Sequence, residues 1–311
     1  MLLNCRSRPT RAVDYNQAMS LHRSFLFRLV LASVAGVFFL LYLASCAQEL
    51  PPAPATNGRI LLLPRTLVAG ERATLAVLDV NGRLASGVKV LFSNGDHLTT
   101  DKSGRAFFIA PLTLGALSAS IEGRPGHIST TVLPAGGNVS TAIEVTAVPK
   151  IASLADRFEI QGRAFCGAAD ANQVTVSGDT ALVLASSPTS LILLPPLDLA
   201  PGRASVDISC AQQNGPPLEV VFVALDLKAD VSPLTPGVHR ELTVQVRGTR
   251  GKVELEATNL APDTAELIGG NPLRVFSSGG WDNLAHCEVV GRKRGNFLIS
   301  IRLLTPASHP E

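Results

Sequence analysis

Aromatic residues are scarce in this chain of 311 residues, which has one Trp, two Tyr and 12 Phe. Both tyrosines, Tyr15 and Tyr42, precede residue 46. Proteins that bind sugars or bases commonly stack them on exposed aromatic rings. The scarcity therefore disfavours a protein that is mainly a stacking surface, and it leaves Trp281 as the one tryptophan for such a contact.

An excess of charge of one sign is also lacking. The chain has 27 basic and 25 acidic residues, a formal net charge of +2. Five arginines and one aspartate lie within residues 1–45, so the remainder carries 22 basic and 24 acidic residues. A near-neutral chain without basic runs lacks the electrostatic footprint of a nucleic-acid-binding protein. We interpret the basic cluster GRKRGN at 291–296 as a solvated hairpin turn and predict no nucleic-acid partner.

Catalytic signatures are absent from the sequence. There is no G-x-S-x-G elbow, no P-loop and no paired-carboxylate signature, and no two histidines have zinc-ligand spacing. Asp79 and Asp101 lack the dense acidic run of a calcium loop, and we interpret both as turn formers. We expect no enzyme, no cofactor and no metal site. An envelope hydrolase with its site in the third unit is the less favoured alternative.

A short apolar run lies near the N-terminus. Arg23 and Arg28 precede an uncharged stretch over 29–44, which is shorter than the ~20 residues of a membrane-spanning helix. A basic start, a short apolar core and small residues at its end are typical of a secretory leader. Met19 would give this leader an ordinary length, so we predict that translation starts there.

The leader ends at Leu43-Ala44-Ser45-Cys46. This stretch resembles the lipobox of bacterial lipoproteins, and the resemblance implies cleavage before Cys46 and attachment of a lipid to its thiol. An uncleaved signal anchor, or secretion with an incidental cysteine, are the alternatives. Ala47 follows where many inner-membrane lipoproteins have Asp, so the resemblance favours the outer membrane. Residues 46–57 are predicted to be a Pro-rich tether.

Three cysteines lie after the tether, namely Cys166, Cys210 and Cys287. An exported chain can oxidise its thiols. Cys166 and Cys210 lie near the start and the end of one predicted domain, and we expect a disulfide between them. Cys287 is expected to be buried as a small apolar residue.

Short segments of period-two alternation, broken by turn residues every 8 to 12 positions, predict antiparallel sandwiches. In residues 58–134, the order V-x-D-x-N-G, G-V-x-V-x-F and T-x-D-x-x-G-x-A runs from Asp79 to Ala106. This order resembles bacterial immunoglobulin-like domains of invasin- and intimin-type surface proteins, and also the carboxypeptidase-regulatory-like sandwiches. The resemblance implies a fold and no active site.

Residues 147–225 open with Pro149-Lys150-Ile151, followed by I-x-G-x-x-F at 160–165 and V-x-V-x-G at 174–178. This order of motifs resembles the IPT/TIG immunoglobulin-like domain, with Cys166 in place of the Gly expected after the Phe. Residues 226–306 are predicted to be a third, immunoglobulin-like sandwich. The fold class expected is all-β, with tandem immunoglobulin-like sandwiches after an N-terminal lipoprotein signal peptide.

The loop SSGGWDN at 277–283 contains Trp281, a candidate partner contact. A core tryptophan at a strand end is the alternative.

We expect a lipid-anchored cell-envelope protein that acts in adhesion, scaffolding or surface display. A glycan-binding accessory module is the second hypothesis. The membrane is the partner expected through the lipid, and whether the further partner is a protein or a glycan stays open.

Overall fold

The computed structural model describes residues 58–136, 142–228, 234–294 and 297–304. These residues form 24 β-strands, with one 3-10 turn at Ala169–Ala171. Within the described ranges, no helix has the length and hydrophobicity needed to cross a bilayer.

The first sandwich packs a sheet in the order β1-β3-β6 against a sheet in the order β2-β8-β7-β4-β5. Its strands are β1 (Gly58–Leu62), β2 (Thr66–Val68), β3 (Arg72–Asp79), β4 (Lys89–Phe92), β5 (His97–Thr99), β6 (Arg105–Ile109), β7 (Gly115–Ile121) and β8 (Ile128–Leu133). The core between the sheets includes Leu67, Leu75 and Val88, all fully buried.

The second sandwich packs β14-β15-β11-β9 against a sheet that contains β13-β12-β16-β18, with β17 and β10 at its margins. Its strands are β9 (Glu144–Ala147), β10 (Ile151–Ser153), β11 (Phe158–Arg163), β12 (Asn172–Val176), β13 (Asp179–Thr180), β14 (Leu182–Ser187), β15 (Ser190–Leu194), β16 (Gly202–Cys210), β17 (Gln213–Asn214) and β18 (Leu218–Lys228). Strand β9 begins before residue 147, and Ile143 already packs into this core.

The third sandwich packs β18-β19-β23-β21 against β22-β20-β24. The additional strands are β19 (His239–Arg247), β20 (Glu254–Asn259), β21 (Ala265–Leu267), β22 (Leu273–Phe276), β23 (Leu284–Gly291) and β24 (Ile299–Leu303). The predicted fold class, all-β with tandem immunoglobulin-like sandwiches, is therefore confirmed.

Alternating burial shows why these sequences form half-buried strands. In β16 and β19, every second residue faces the core, as the two-residue period of a strand requires. Strand β3 departs from this rule, because six consecutive residues, 73–78, are buried. Its outer face packs on the second sandwich, where Ala76 and Leu78 share an apolar cluster with Leu184 and Ile192.

Arg105 fastens the first sandwich to the second. Its guanidinium is largely buried, and Nη2 and Nε donate hydrogen bonds to the carbonyl oxygens of Val183 and Leu184, at 2.7 and 3.3 Å. The register of β14 shifts between Val183 and Ala185, and such a bulge leaves backbone groups unpaired within the ladder. Asp170 accepts a third bond from Nη1, at 3.1 Å.

Strand β18 fastens the second sandwich to the third. Its first half pairs with β16, and its second half, from Ala224 to Lys228, pairs with β19. The predicted boundary between 225 and 226 thus falls inside one continuous strand. The salt bridge between Asp226 and Arg247 ties the second half of β18 to β19.

Asp79 and Asp101 both act as turn formers, as predicted. Asp79 Oδ1 accepts hydrogen bonds from the backbone N–H groups of Asn81 and Arg83. Burial alone would raise the pKa of Asp101, but hydrogen bonds from Ser103 and Arg105 hold this pKa below its ordinary value. These bonds stabilise each turn, because the Asp side chain accepts hydrogen bonds from backbone N–H groups that would otherwise lack an acceptor.

Cys166 and Cys210 form a disulfide, with their Cα atoms 5.8 Å apart. The two cysteines pack at the core of the second sandwich. Cys287 is a free thiol, buried in the core of the third sandwich. Burial raises the pKa of the Cys287 thiol, which keeps it protonated and unreactive.

Candidate partner-binding site

Trp281 lies on the surface of the third sandwich, in the loop that joins β22 to β23. Its side chain is 81% exposed. The alternative of a core tryptophan is therefore excluded. The exposed ring is a candidate contact surface, because aromatic rings anchor many interfaces.

Arg250 covers one face of the Trp281 ring, with its Cζ atom 3.3 Å from the ring centroid. The negative face of an indole attracts a guanidinium, and the pair contributes about 0.5–1 kcal/mol at an exposed site. Among the described residues, no carboxylate pairs with Arg250. The stack therefore presents an aromatic surface together with an uncompensated positive charge.

Asn283 fixes the backbone beneath this stack. Its side chain is 1% exposed, and Nδ2 donates to the carbonyl oxygens of Thr249 and Gly251, at 3.1 and 2.9 Å. Its Oδ1 accepts a hydrogen bond from the Gly279 N–H, at 2.8 Å. One buried amide thus joins the turn after β19 to the loop that contains Trp281.

Backbone hydrogen bonds hold the same two segments together. The Gly280 N–H donates to the Arg250 carbonyl oxygen at 2.8 Å, directly beside the stacked side chains. The Val246 N–H donates to the Asn283 carbonyl oxygen, also at 2.8 Å. The backbone beneath the aromatic ring is consequently held in place before any partner arrives, which lowers the entropy cost of binding.

A shallow groove of about 310 Å³ runs beside the ring, between residues 245–250 and residues 280–281. Its lining includes two arginines, Arg247 and Arg250, and no acidic residue. Arg247 is paired with Asp226: its hydrogen bond lowers the pKa of Asp226, and that bond together with the negative charge raises the pKa of Arg247. Arg250 is the cation that this pairing leaves available.

A second depression, of about 400 Å³, lies between Arg203 and Glu219 on the second sandwich. These two side chains form a salt bridge of 2.8 Å with each other. Its lining contains no aromatic residue. The groove beside Trp281 is therefore the stronger candidate for binding.

Histidines and carboxylates face each other on the exposed side of β19 and β23. His239 Nδ1 lies 2.7 Å from Glu288, and His286 Nδ1 lies 2.7 Å from Glu241. Across the part of the chain that the structure describes, no group of three or more His, Cys, Asp or Glu is arranged to hold a metal ion.

The sequence-predicted residues have different outcomes. Leu43, Ala44, Ser45 and Cys46 lie outside the described residues. Cys166 and Cys210 form a disulfide at the core of the second sandwich. In the basic cluster at 291–296, Arg292 pairs with Glu266 and Lys293 lies 4.0 Å from Asp263, and both side chains are exposed. The predicted hairpin is wrong, because β23 pairs with β19 and β21, whereas β24 pairs with β20 in the facing sheet.

Sequence reasoning missed Arg250 and Asn283. Arg250 lies in the turn after β19, far from Trp281 in sequence, and no local motif links the two. Asn283 lies two residues after Trp281, but its partners, Thr249 and Gly251, are 34 and 32 residues away. Only the pairing of β19 with β23 brings these segments together.

No protein-family model matches the chain, and no curated protein is significantly similar to it in sequence. Structural similarity is found with the Bacteroides ovatus mixed-linkage glucan utilization locus protein SGBP-B, in complex with a mixed-linkage heptasaccharide. The identity is 11% and the TM-score 0.31, with 79% of this chain and 75% of that chain covered.

The Yersinia pseudotuberculosis adhesin InvE is similar at 16% identity and a TM-score of 0.19, with 57% of this chain and 61% of that chain covered. Domains 1–6 of the surface layer protein SbsC are similar at 12% identity and a TM-score of 0.18. This chain covers 39% of that SbsC structure. Similarities this distant carry no inference about the partner of this chain.

Proposed function

We propose that this protein is a lipid-anchored, non-catalytic binding protein of the cell envelope, which contacts its partner through the loop that contains Trp281. The observation that carries the proposal is the exposed Trp281 ring on a backbone fixed by the buried Asn283. Rigid, exposed aromatic side chains contribute much of the energy at binding surfaces.

The location in the envelope is supported by the lipobox-like sequence that ends at Cys46. Two lipid chains, added to this thiol, anchor a protein stably, whereas a single chain binds membranes only marginally. Cell fractionation of wild type and Cys46→Ser tests this part. We expect wild type in the membrane fraction and the variant in the soluble fraction. Cys287→Ala is the control, because it removes a cysteine far from the leader, and it should partition like wild type.

The binding role is tested by co-sedimentation of the purified chain from residue 47 onward with isolated cell envelopes. We expect saturable binding of wild type, reduced about tenfold or more in Trp281→Ala. Phe107→Ala is the matched control, because Phe107 is also exposed and has Arg72 over its ring at 5.8 Å. Equal binding of wild type and Trp281→Ala would overturn this role for Trp281.

A glycan-binding accessory module is the second candidate function. It requires an exposed aromatic surface for stacking, and Trp281 provides one. A glycan ligand and a protein ligand are separated by treating the envelopes with a protease before co-sedimentation. Binding that survives the treatment favours a glycan, and binding that disappears favours a protein.

A further inference from the structure

The geometry points to a carboxylate-bearing glycan as the ligand of the groove beside Trp281, with the sugar ring stacked near the indole and its carboxylate on Arg250. This inference rests on the proposed function, because it names the partner of the same site.

The lining of the groove is suited to a sugar. Gln245 and Thr249 contribute polar side chains to the lining, which also includes Gly248 and Gly280. A sugar ring has one face rich in C–H groups and a rim of hydroxyl groups. A single aromatic surface beside polar groups matches that pattern, in which a few placed polar groups fix the orientation of a ligand. A hydrophobic peptide segment would find Trp281 as its apolar contact, because the Val246 side chain is buried in the core.

The charge of the groove favours an acidic sugar over a neutral one. Two arginines and no acidic residue line it, and Asp226 occupies Arg247. Arg250 retains its donors, and a planar guanidinium binds a carboxylate with two parallel hydrogen bonds. Asp282 is exposed beside Trp281 but does not line the groove.

The fixed geometry places both contacts on one side chain pair. Because the guanidinium of Arg250 lies over one face of the indole, 3.3 Å from the ring centroid, a carboxylate in the guanidinium plane and a sugar ring against the opposite indole face would contact two adjacent side chains. Asn283 and the Gly280 N–H fix the backbone on both sides of this pair.

The test is isothermal titration of the chain from residue 47 onward with a galacturonic acid oligosaccharide and with a neutral galactose oligosaccharide of the same length. We expect the acidic probe to bind more tightly than the neutral one, with an affinity that falls as salt is raised. Trp281→Ala should weaken the binding of both probes. Arg250→Gln should weaken the acidic probe about tenfold and change the neutral probe little, since the charge-assisted contact alone is lost.

Arg250→Lys should recover part of the acidic binding, because it restores the charge without the planar fork. Equal affinity for both probes, or acidic binding unchanged in Arg250→Gln, would overturn the inference. If neither oligosaccharide binds but envelope co-sedimentation still depends on Trp281, the inference fails and the proposed function stands. If co-sedimentation is also independent of Trp281, both fail.

Discussion

Arg105 of the first sandwich donates a hydrogen bond of 2.7 Å to the carbonyl oxygen of Val183 in the second. With Leu184 and Asp170, this arginine satisfies three acceptors across the joint. The contact between the first and second sandwiches is thus more than apolar, because the buried guanidinium donates hydrogen bonds to backbone carbonyl oxygens of the bulged strand β14. This relationship makes the orientation of the two sandwiches specific.

Replacing Arg105 with Met should destabilise the protein by about 2–3 kcal/mol, because the buried carbonyl oxygens at the bulge lose their donors. Arg105→Lys should cost less, since an ammonium can reach only part of this set. Urea unfolding measures both. Arg203→Met is the matched control, because Arg203 forms an exposed ion pair with Glu219, and it should change the free energy of unfolding by less than ~1 kcal/mol. Equal effects at the two positions would contradict this account of the joint.

Reduction of the Cys166–Cys210 disulfide should lower the melting temperature. The bond separates residues 44 apart in sequence, and closing a loop of that length constrains the unfolded chain by about 4 kcal/mol at most. Melting curves with and without a thiol reductant measure the effect. Cys287→Ala should respond to the reductant as wild type does, and Cys166→Ala/Cys210→Ala should not respond. A wild-type melting temperature indifferent to reductant would refute the expectation.

Asn283→Ala should loosen the loop that contains Trp281. The substitution leaves the Thr249 and Gly251 carbonyl oxygens and the Gly279 N–H without their partner, at a cost of about 1–3 kcal/mol. Because Trp281 is the one tryptophan, its fluorescence anisotropy reports on this loop alone. We expect lower anisotropy in Asn283→Ala. If Asn283→Ala is as stable as wild type and its anisotropy is unchanged, the Asn283 hydrogen bonds do not fix this loop.

The Asp226–Arg247 pair should make stability depend on pH. The hydrogen bond from Arg247 lowers the pKa of Asp226 in the folded state, below the value of about 3.9 in an unfolded chain. The stabilisation is therefore present above about pH 4 and is lost as the pH falls through the folded pKa. The difference in melting temperature between wild type and Asp226→Asn should shrink between about pH 6 and pH 2.5.

Asp198→Asn is the control for this pH dependence, because Asp198 has no ion pair among the described residues. The difference in melting temperature between Asp198→Asn and wild type should stay small at about pH 6 and at about pH 2.5. If the difference in melting temperature between wild type and Asp226→Asn grows as the pH falls, the Asp226–Arg247 pair is not the source of the pH dependence.

Local patterns predicted those parts of the fold that depend on near neighbours. Alternation gave the strands, and the turns at Asp79 and Asp101 follow from side chains that bond to the backbone two and four residues on. The spacing of Gly70, Leu75 and Val77 recurs in the third unit as Gly237, Leu242 and Val244. The Leu and Val of each set are buried, in β3 and in β19.

Long-range contacts could not be predicted in the same way. The burial of both faces of β3 depends on where the second sandwich lies, and no period within β3 encodes that. Gly104 shows the same limit: its turn is readable, but a Cβ there would meet the backbone of Leu84 and Ala85 at 2.7 Å. The candidate site likewise requires β19 beside β23, which joins Arg250 to Trp281.

The most direct test of the account is the fluorescence of Trp281 during titration with protease-treated cell envelopes. If a partner covers the indole, emission should shift to shorter wavelength and quenching by acrylamide should fall, with saturation at the same envelope concentration as co-sedimentation. If the chain is fully bound while emission and quenching stay unchanged, Trp281 remains in water in the complex, and the account of this site is contradicted.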